Sequence, residues 1–327
     1  MATGEPLPSD IWRFITDFPD GTIIYHYGSS IKKLEAVIRT LKSDARLMHA
    51  IYHLLIVRDL PLDFFQVEHG SGKYSDLSEK ILENTRPAYF YDDGLFVVNV
   101  FPIRPHKYIA QEFEKKIHDW CKRLEIPPNE YRYFCPRFQE ARDEDGRPTS
   151  ARQCQGMFIP PRQPSQQTPD NEWPSFVVEV ATAAPATEQY LHFGVNWWFR
   201  ESKGIVKAVL LLFVDRQEPR SLTIEKWVCQ PEDETDDETD EEPATPTLAN
   251  AEGGYHAAAQ QQQPQPPSDP VPRCVQKVVV TDEQVTGAPL LLEFEYAFER
   301  PPQMISEINL RLDEGFLQRL MKKFNPR

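Results

Sequence analysis

The feature that most constrains the fold is the apolar run Val206–Val214. A strand that is apolar at successive positions is typical of a sheet interior covered on both faces. A second strand is predicted at Phe176–Val180, and the intervening segment Thr187–Glu201 carries aromatic residues in a helical pattern. The order strand, helix, strand predicts two adjacent parallel strands joined by a helix on one sheet face. We therefore expect an α/β (α+β) fold, with a mixed sheet flanked by helices.

Residues outside this unit predict further helices, strands and loops. Apolar residues recur every three to four positions from Ile31 to Leu55, which predicts one long amphipathic helix. Further strands are predicted at Val275–Val280 and at Leu290–Phe298, and the polar stretch Gln139–Gln153 is expected to be a loop. His49 and His53 are four residues apart on the predicted long helix, a spacing that suits zinc, but the glutamate of a His-Glu-x-x-His site is missing.

Residues 231–272 have a composition that cannot build a packed core. They contain eleven acidic residues and no Lys or Arg, and nine of the carboxylates fall between Glu232 and Glu242. Such a segment buries too little apolar surface to offset its ordering entropy, so we expect it to be disordered. Strand candidates flank it on both sides, which indicates an enlarged loop within one domain. The expected organisation is a mainly helical region 1–85, a core of 86–230 plus 273–327, and this insertion.

Charge and targeting signals limit the classes of partner. Removing the eleven acidic charges of the insertion from the net charge of −14 leaves −3 for the rest of the chain. The core therefore lacks the basic footprint of a nucleic-acid-binding domain, so a nucleic-acid partner is possible but not supported by charge. No secretory signal or apolar span of membrane length is visible, and the five widely spaced cysteines form no CxxC pair. We expect a cytoplasmic or nuclear protein with no membrane partner.

Several short motifs together resemble one family. The first motif is a proline before an apolar strand that ends in Glu-Val, and the second is a pair of tryptophans in the next helix. The third is a strand that begins with Val-Lys, and the fourth is a late strand followed by Arg-Pro-Pro. In this sequence they are Trp173–Val180, Trp197-Trp198, Val206-Lys207, Leu290–Glu295 and Arg300-Pro301-Pro302. This set resembles the degenerate PD-(D/E)XK, restriction-endonuclease-like proteins of filamentous fungi, over roughly residues 95–327. The resemblance implies a nuclease-like fold.

The family's chemistry would need two carboxylates holding Mg²⁺ and a lysine two residues after the second carboxylate. Glu179 matches the second carboxylate, but Ala181 stands at the lysine position. One alignment puts Gln155, a neutral amide, at the first carboxylate, and another puts Asp170 there. Lys203 and Lys207 are the candidates for a displaced lysine. If the site is active, the resemblance implies Mg²⁺ as its cofactor.

Three functional hypotheses follow from these residues. The favoured one is a nuclease-like protein that is catalytically compromised and acts as an intracellular binding or scaffold protein. The alternative enzyme is a Mg²⁺-dependent nuclease that uses Glu179 and Asp170 as metal ligands, with Lys203 or Lys207. A third hypothesis is an interaction protein whose acidic insertion binds a basic protein partner.

Overall fold

The computed structural model describes residues 22–47, 53–61, 85–100, 103–134, 137–161, 173–183, 185–215, 220–230 and 271–324. These residues form two mixed sheets, a small two-stranded sheet and a set of helices. No helix among them is long and apolar enough to cross a membrane. The predicted mixed α/β class is confirmed.

The first sheet contains the N-terminal strands. They are β1 (Ile23–His26), β2 (His53–Arg58), β3 (Thr85–Phe90), β4 (Leu95–Val100), β6 (Arg137–Arg142) and β7 (Pro148–Cys154). The strand order is β1-β2-β4-β3-β7-β6, with β1 parallel to β2 and every other neighbour antiparallel. All residues of β3 and β4 are buried, which is the pattern of central strands covered on both faces.

The second sheet contains the strand pair that the sequence predicted. Its members are β5 (Arg132–Phe134), β8 (Gly156–Ile159), β9 (Phe176–Thr182), β10 (Ala208–Asp215), β11 (Ser221–Gln230), β12 (Val271–Thr281) and β13 (Val285–Thr286). The order is β13-β12-β11-β10-β9-β8-β5, and only β9 and β10 are parallel. The small sheet pairs β14 (Leu290–Leu292) with β15 (Leu310–Leu312).

The helices cover the faces of both sheets. They are α1 (Ile31–Leu47), α2 (Ile103–Arg123), α3 (Pro185–Glu201), α4 (Phe294–Phe298) and α5 (Glu314–Phe324). Helix α3 shares one apolar cluster with β3 and β4 of the first sheet and with β9 and β10 of the second, so it lies between the two sheets. Helix α1 packs on the other face of the first sheet, and α2 and α5 pack on the other face of the second.

The β9–α3–β10 unit confirms the central prediction. Phe176 is in register with Ala208, and Glu179 is in register with Leu211, in a parallel pairing. Successive residues of a strand face opposite sides, so Val178 packs toward α2 and α5 while Val177 packs toward α3. Glu179 shares the side of Val177, and it therefore points into the layer between the two sheets.

The N-terminal prediction was wrong beyond residue 47. Helix α1 ends at Leu47, and His53–Arg58 form strand β2. A short apolar run fits a buried strand as well as a helix, and all four residues Leu54–Val57 are buried as a strand of a covered sheet requires. The described part of region 1–85 therefore contains strands of the first sheet besides one helix. The predicted boundary at residue 85 falls inside β3 of the first sheet.

Other segments also differ from the prediction. Gln139–Gln153 is not a loop, because β6 and β7 form a hairpin there. Leu290–Phe298 is a strand only as far as Leu292, and α4 follows. Val271 and Pro272, placed in the insertion, begin β12, and Val271 pairs with Gln230. The rest of the insertion lies outside the described residues, and the strands on either side of it, β11 and β12, are neighbours in one sheet.

Candidate functional site

Glu179 lies in a closed polar site between the two sheets. Its side chain is 3% exposed. Its Oε1 atom accepts a hydrogen bond from Arg152 Nε at 3.2 Å and another from Trp198 Nε1 at 3.1 Å. The arginine comes from β7 of the first sheet, and the tryptophan comes from α3. The carboxylate is thus paired with a cation supplied by the protein itself.

Arg152 is the centre of this site. Its side chain is 1% exposed, and its guanidinium carbon lies 4.3 Å from the centroid of the Tyr190 ring. On its neighbour Gly194 in α3, a Cβ would lie 2.3 Å from Arg152 Nη2. Only glycine lets the helix approach the guanidinium so closely. Burial raises the pKa of the Tyr190 phenol, which keeps the ring neutral beside the charged pair.

A second buried arginine lies on the same face of the first sheet. Arg86 on β3 donates from Nη1 to Thr85 O at 2.7 Å and from Nη2 to Gln155 Oε1. Gln155, one of the two candidates for the first carboxylate position, therefore holds an arginine through its amide oxygen. The indole of Trp197 donates to Ser150 Oγ at 2.9 Å, so α3 is attached to β7 by a polar contact as well.

The remaining predicted site residues do not converge on Glu179. Asp170 lies outside the described residues. Lys207 is exposed, its Nζ donates to Gly204 O at 2.5 Å, and it lies four residues before the partner of Glu179 on β10. At the rise of a strand, those four residues correspond to about 13 Å. Lys203 is exposed in the turn after α3, and Ala181 fills the expected lysine position with a buried methyl group.

Metal chemistry gains no support from this arrangement. A carboxylate that binds Mg²⁺ needs oxygen partners and open coordination positions. In place of such partners, Glu179 has an arginine and an indole, which are both donors. Within the described ranges, no group of three or more His, Cys, Asp or Glu side chains is placed to hold a metal. The His49 and His53 pair, which lacks the glutamate of a zinc motif, was expected to be two ordinary helix histidines. His53 instead begins strand β2, and His49 lies outside the described residues.

The sequence reasoning missed Arg152 because it assigned residues 139–153 to a loop. The sequence does contain a hairpin signal. The dipeptide Asp145-Gly146 is favoured in β-hairpin turns, and it lies between β6 and β7. A hairpin there would have put Arg152 on a sheet face. The partner of that arginine could still not have been read from the sequence, because Glu179 belongs to the other sheet.

A second polar cluster joins α3 to the second sheet nearer the surface. Glu225 on β11 accepts bonds from His192 Nε2 at 3.0 Å, Trp227 Nε1 at 3.1 Å and Lys277 Nζ at 3.1 Å. The bond from His192, followed by those from Lys277 and Trp227, lowers the pKa of Glu225 to about 2 against the opposing effect of burial. The imidazole of His192 is 39% exposed, so one side of this cluster faces solvent.

Sequence comparison with known proteins supplies no family for the chain. No protein-family model matches it, and no curated protein gives a significant match. The likeness to the PD-(D/E)XK proteins therefore stays a prediction drawn from short motifs, and the interpretation of the site depends on its own geometry.

Proposed function

We propose that this chain is a nuclease-like protein without hydrolytic activity that acts as an intracellular binding or scaffold protein. The observation that carries the proposal is the pairing of Glu179 with Arg152 in a buried site. In the enzymatic hypothesis this carboxylate would hold Mg²⁺. Here the positive charge beside Glu179 is the guanidinium of Arg152, which is part of the chain and stays in the site. A guanidinium cannot activate a water molecule as a bound metal does.

Two further observations support loss of catalysis. The lysine expected two residues after Glu179 is replaced by Ala181, which is buried in the apolar cluster around α3. Lys207, one candidate for its replacement, is engaged with a backbone carbonyl of its own turn. A nuclease would need a carboxylate pair and a charged donor at one reacting phosphate. The described residues bring together one carboxylate and two arginines instead.

A nuclease assay tests the proposal. The purified full-length chain is incubated with single- and double-stranded DNA and RNA in the presence of Mg²⁺ or Mn²⁺, alongside Glu179→Ala and the exposed-site control Glu295→Ala. We expect no cleavage above background from any of the three proteins. Metal-dependent cleavage by the wild type and by Glu295→Ala that is absent from Glu179→Ala would establish the enzymatic alternative and overturn the proposal.

The acidic insertion supports a second candidate function, binding of a basic protein. Nine carboxylates lie between Glu232 and Glu242, directly after β11. Because Gln230 pairs with Val271, the insertion leaves and re-enters the sheet at neighbouring positions. It is therefore presented at one end of the β11–β12 hairpin. Binding of a fluorescent Lys/Arg-rich peptide should be tight at low salt, weaken steeply with added salt and disappear when residues 231–270 are removed. Binding that survives removal would exclude this role.

A further inference from the structure

One surface loop, residues 301–309 between α4 and β15, gathers exposed apolar side chains. Among the described residues seven large hydrophobic side chains are exposed, and three of them, Met304, Ile305 and Ile308, lie in this loop. Ile305 is fully exposed, and Met304 and Ile308 are each more than half exposed. Single apolar residues are ordinary on a protein surface, but a local group of them marks an interaction site.

Hydrogen bonds to a buried carboxylate fix the shape of the 301–309 loop. Glu307 accepts bonds from both Nη atoms of Arg300, with Nη1 at 2.9 Å, and from two backbone N–H groups of the loop at 2.5 and 3.2 Å. Its side chain is 3% exposed. Ile308 O accepts a further bond from Trp120 Nε1 of α2 at 2.9 Å, which attaches the loop to the core. Because the backbone is held in this way, binding through the loop costs little ordering entropy.

The exposed surface of the 301–309 loop carries no charge. Its exposed residues are proline, glutamine, methionine, isoleucine, serine and asparagine, and its one ionisable side chain, Glu307, is buried against Arg300. Few charges and many apolar residues are the pattern of a protein–protein interface core. A nucleic acid, or the acidic segment 232–242 of the chain itself, would find no opposite charge on this surface.

The net charge of the chain favours a second copy as the partner at this surface. Two copies of a chain with a net charge of −14 repel each other, so a contact between them is tolerated best where the surface carries no charge of its own. An aliphatic surface is also complementary to itself, and a twofold axis can place the same loop of both copies face to face. The loop is one short segment, so this contact buries less than the ~1,600 Å² of a standard interface and gives a weak, reversible dimer.

We propose that the 301–309 loop is the contact surface of a weak, twofold-symmetric homodimer, with Ile305 at its centre. The inference goes beyond the proposed function and does not depend on whether the chain cleaves nucleic acid. The charge of the two copies adds a specific expectation. Added salt screens their repulsion and should strengthen the dimer, whereas it would weaken a contact built on ion pairs.

Sedimentation velocity on the purified full-length chain tests the dimer. We expect the average mass to rise from that of a monomer toward that of a dimer between micromolar and millimolar concentration, with a smaller Kd at high salt than at low salt. A chain that stays monomeric over this range would overturn the proposal. A dimer that dissociates as salt is added is held by ion pairs, and that result would overturn it as well.

Matched serine variants locate the contact. The double variant Met304→Ser/Ile305→Ser removes apolar surface without adding charge, and the exposure of both side chains means that the fold should be unaffected. Its Kd for dimerisation should increase by about tenfold or more. The control Ile24→Ser changes an exposed isoleucine on β1 of the first sheet, and it should dimerise like the wild type. Equal weakening in both variants, or weakening in neither, would reject the loop as the contact surface.

Two further measurements distinguish a second copy from other occupants of the loop. Co-sedimentation with phosphatidylcholine vesicles tests a lipid surface, and vesicle binding that requires Ile305 in a chain that remains monomeric would overturn the proposal. Sedimentation of a variant without residues 231–270 tests the insertion. A monomeric wild type together with a dimeric variant would show that the insertion covers the loop, and this result would also overturn the proposal.

Discussion

Arg152 Nε and Glu179 Oε1 lie 3.2 Å apart although their strands belong to different sheets. The contact is completed by Trp198 of α3, which donates to the same carboxylate oxygen. The pair therefore links the three layers at the middle of the molecule. Its position gives Glu179 a structural role in the packing of the two sheets around α3.

Removing one member of this pair should destabilise the fold strongly. Glu179→Leu and Arg152→Met each leave a buried charge without its partner, and we expect a loss of about 3–5 kcal/mol in the free energy of unfolding. The double variant should lose less than the sum of the two, because it leaves no such unpaired charge. Urea denaturation of all four proteins gives the coupling energy. The control Arg200→Met, at an exposed arginine, should lower the free energy of unfolding by less than about 1 kcal/mol. If the losses of Glu179→Leu and Arg152→Met simply add in the double variant, the two residues do not interact.

Gly194 should be intolerant of even a methyl group. In a helix interior, Gly→Ala usually stabilises by about 1 kcal/mol. At Gly194 the new Cβ would lie 2.3 Å from Arg152 Nη2 and 2.5 Å from its Cζ, so the guanidinium would have to leave its place beside Glu179. We expect a net loss of about 1–3 kcal/mol in thermal or urea unfolding. Gly28→Ala is the matched control, since nothing lies within 4 Å of its Cβ. A stabilised Gly194→Ala protein would contradict the packing described.

Glu225 should make the protein sensitive to acid. Its pKa is about 2 in the folded chain and about 4.3 in an unfolded one, so its stabilising effect is complete above pH 4.5. The effect is lost as the pH falls from about 4.5 to 2, because the unfolded chain takes up the proton first. Because His192 and Lys277 face solvent, which screens the pairing, the effect amounts to at most about 2 kcal/mol. Unfolding curves between pH 6 and 2 should therefore fall less steeply for Glu225→Gln than for the wild type.

The exposed variant Glu295→Gln is the control for this measurement. Its stability should follow the wild-type curve across the same pH range. If Glu225→Gln and the wild type lose stability in parallel, the contacts of Glu225 with His192 and Lys277 do not contribute in solution.

The insertion should be dispensable for folding. Because Gln230 and Val271 are already paired, residues 231–270 can be replaced by an Asn-Gly turn that closes the β11–β12 hairpin. A shorter loop costs less closure entropy, so the free energy of unfolding should stay the same or rise by up to about 2 kcal/mol. Differential scanning calorimetry measures the change. A second variant, in which residues 231–270 are replaced by a Gly/Ser segment of equal length, separates the effect of loop length from that of loop composition. A melting temperature several degrees below that of the wild type in both variants would show that the native segment stabilises the core.

The sequence by itself determined the β9–α3–β10 unit. Apart from Lys207 and Glu179, the segments Val206–Val214 and Phe176–Val180 are apolar at successive positions, and the aromatic segment between them has helical spacing. Neighbouring residues alone therefore specify two buried strands and a helix. The local pattern of apolar residues was insufficient at His53–Arg58, because a short apolar run fits a helix and a buried strand equally well. Only pairing with β1 and β4 makes that run a strand.

The tertiary structure alone decided what Glu179 does. Its place on β9 follows from the strand pattern, but its partner Arg152 comes from a hairpin of the other sheet, 27 residues away in the chain. A buried charge is stabilised by whichever group the fold brings within hydrogen-bond distance, and that group is set by topology and not by spacing in the sequence. The strand pattern therefore placed Glu179 on β9, and the packing of two sheets around α3 gave its carboxylate an arginine partner.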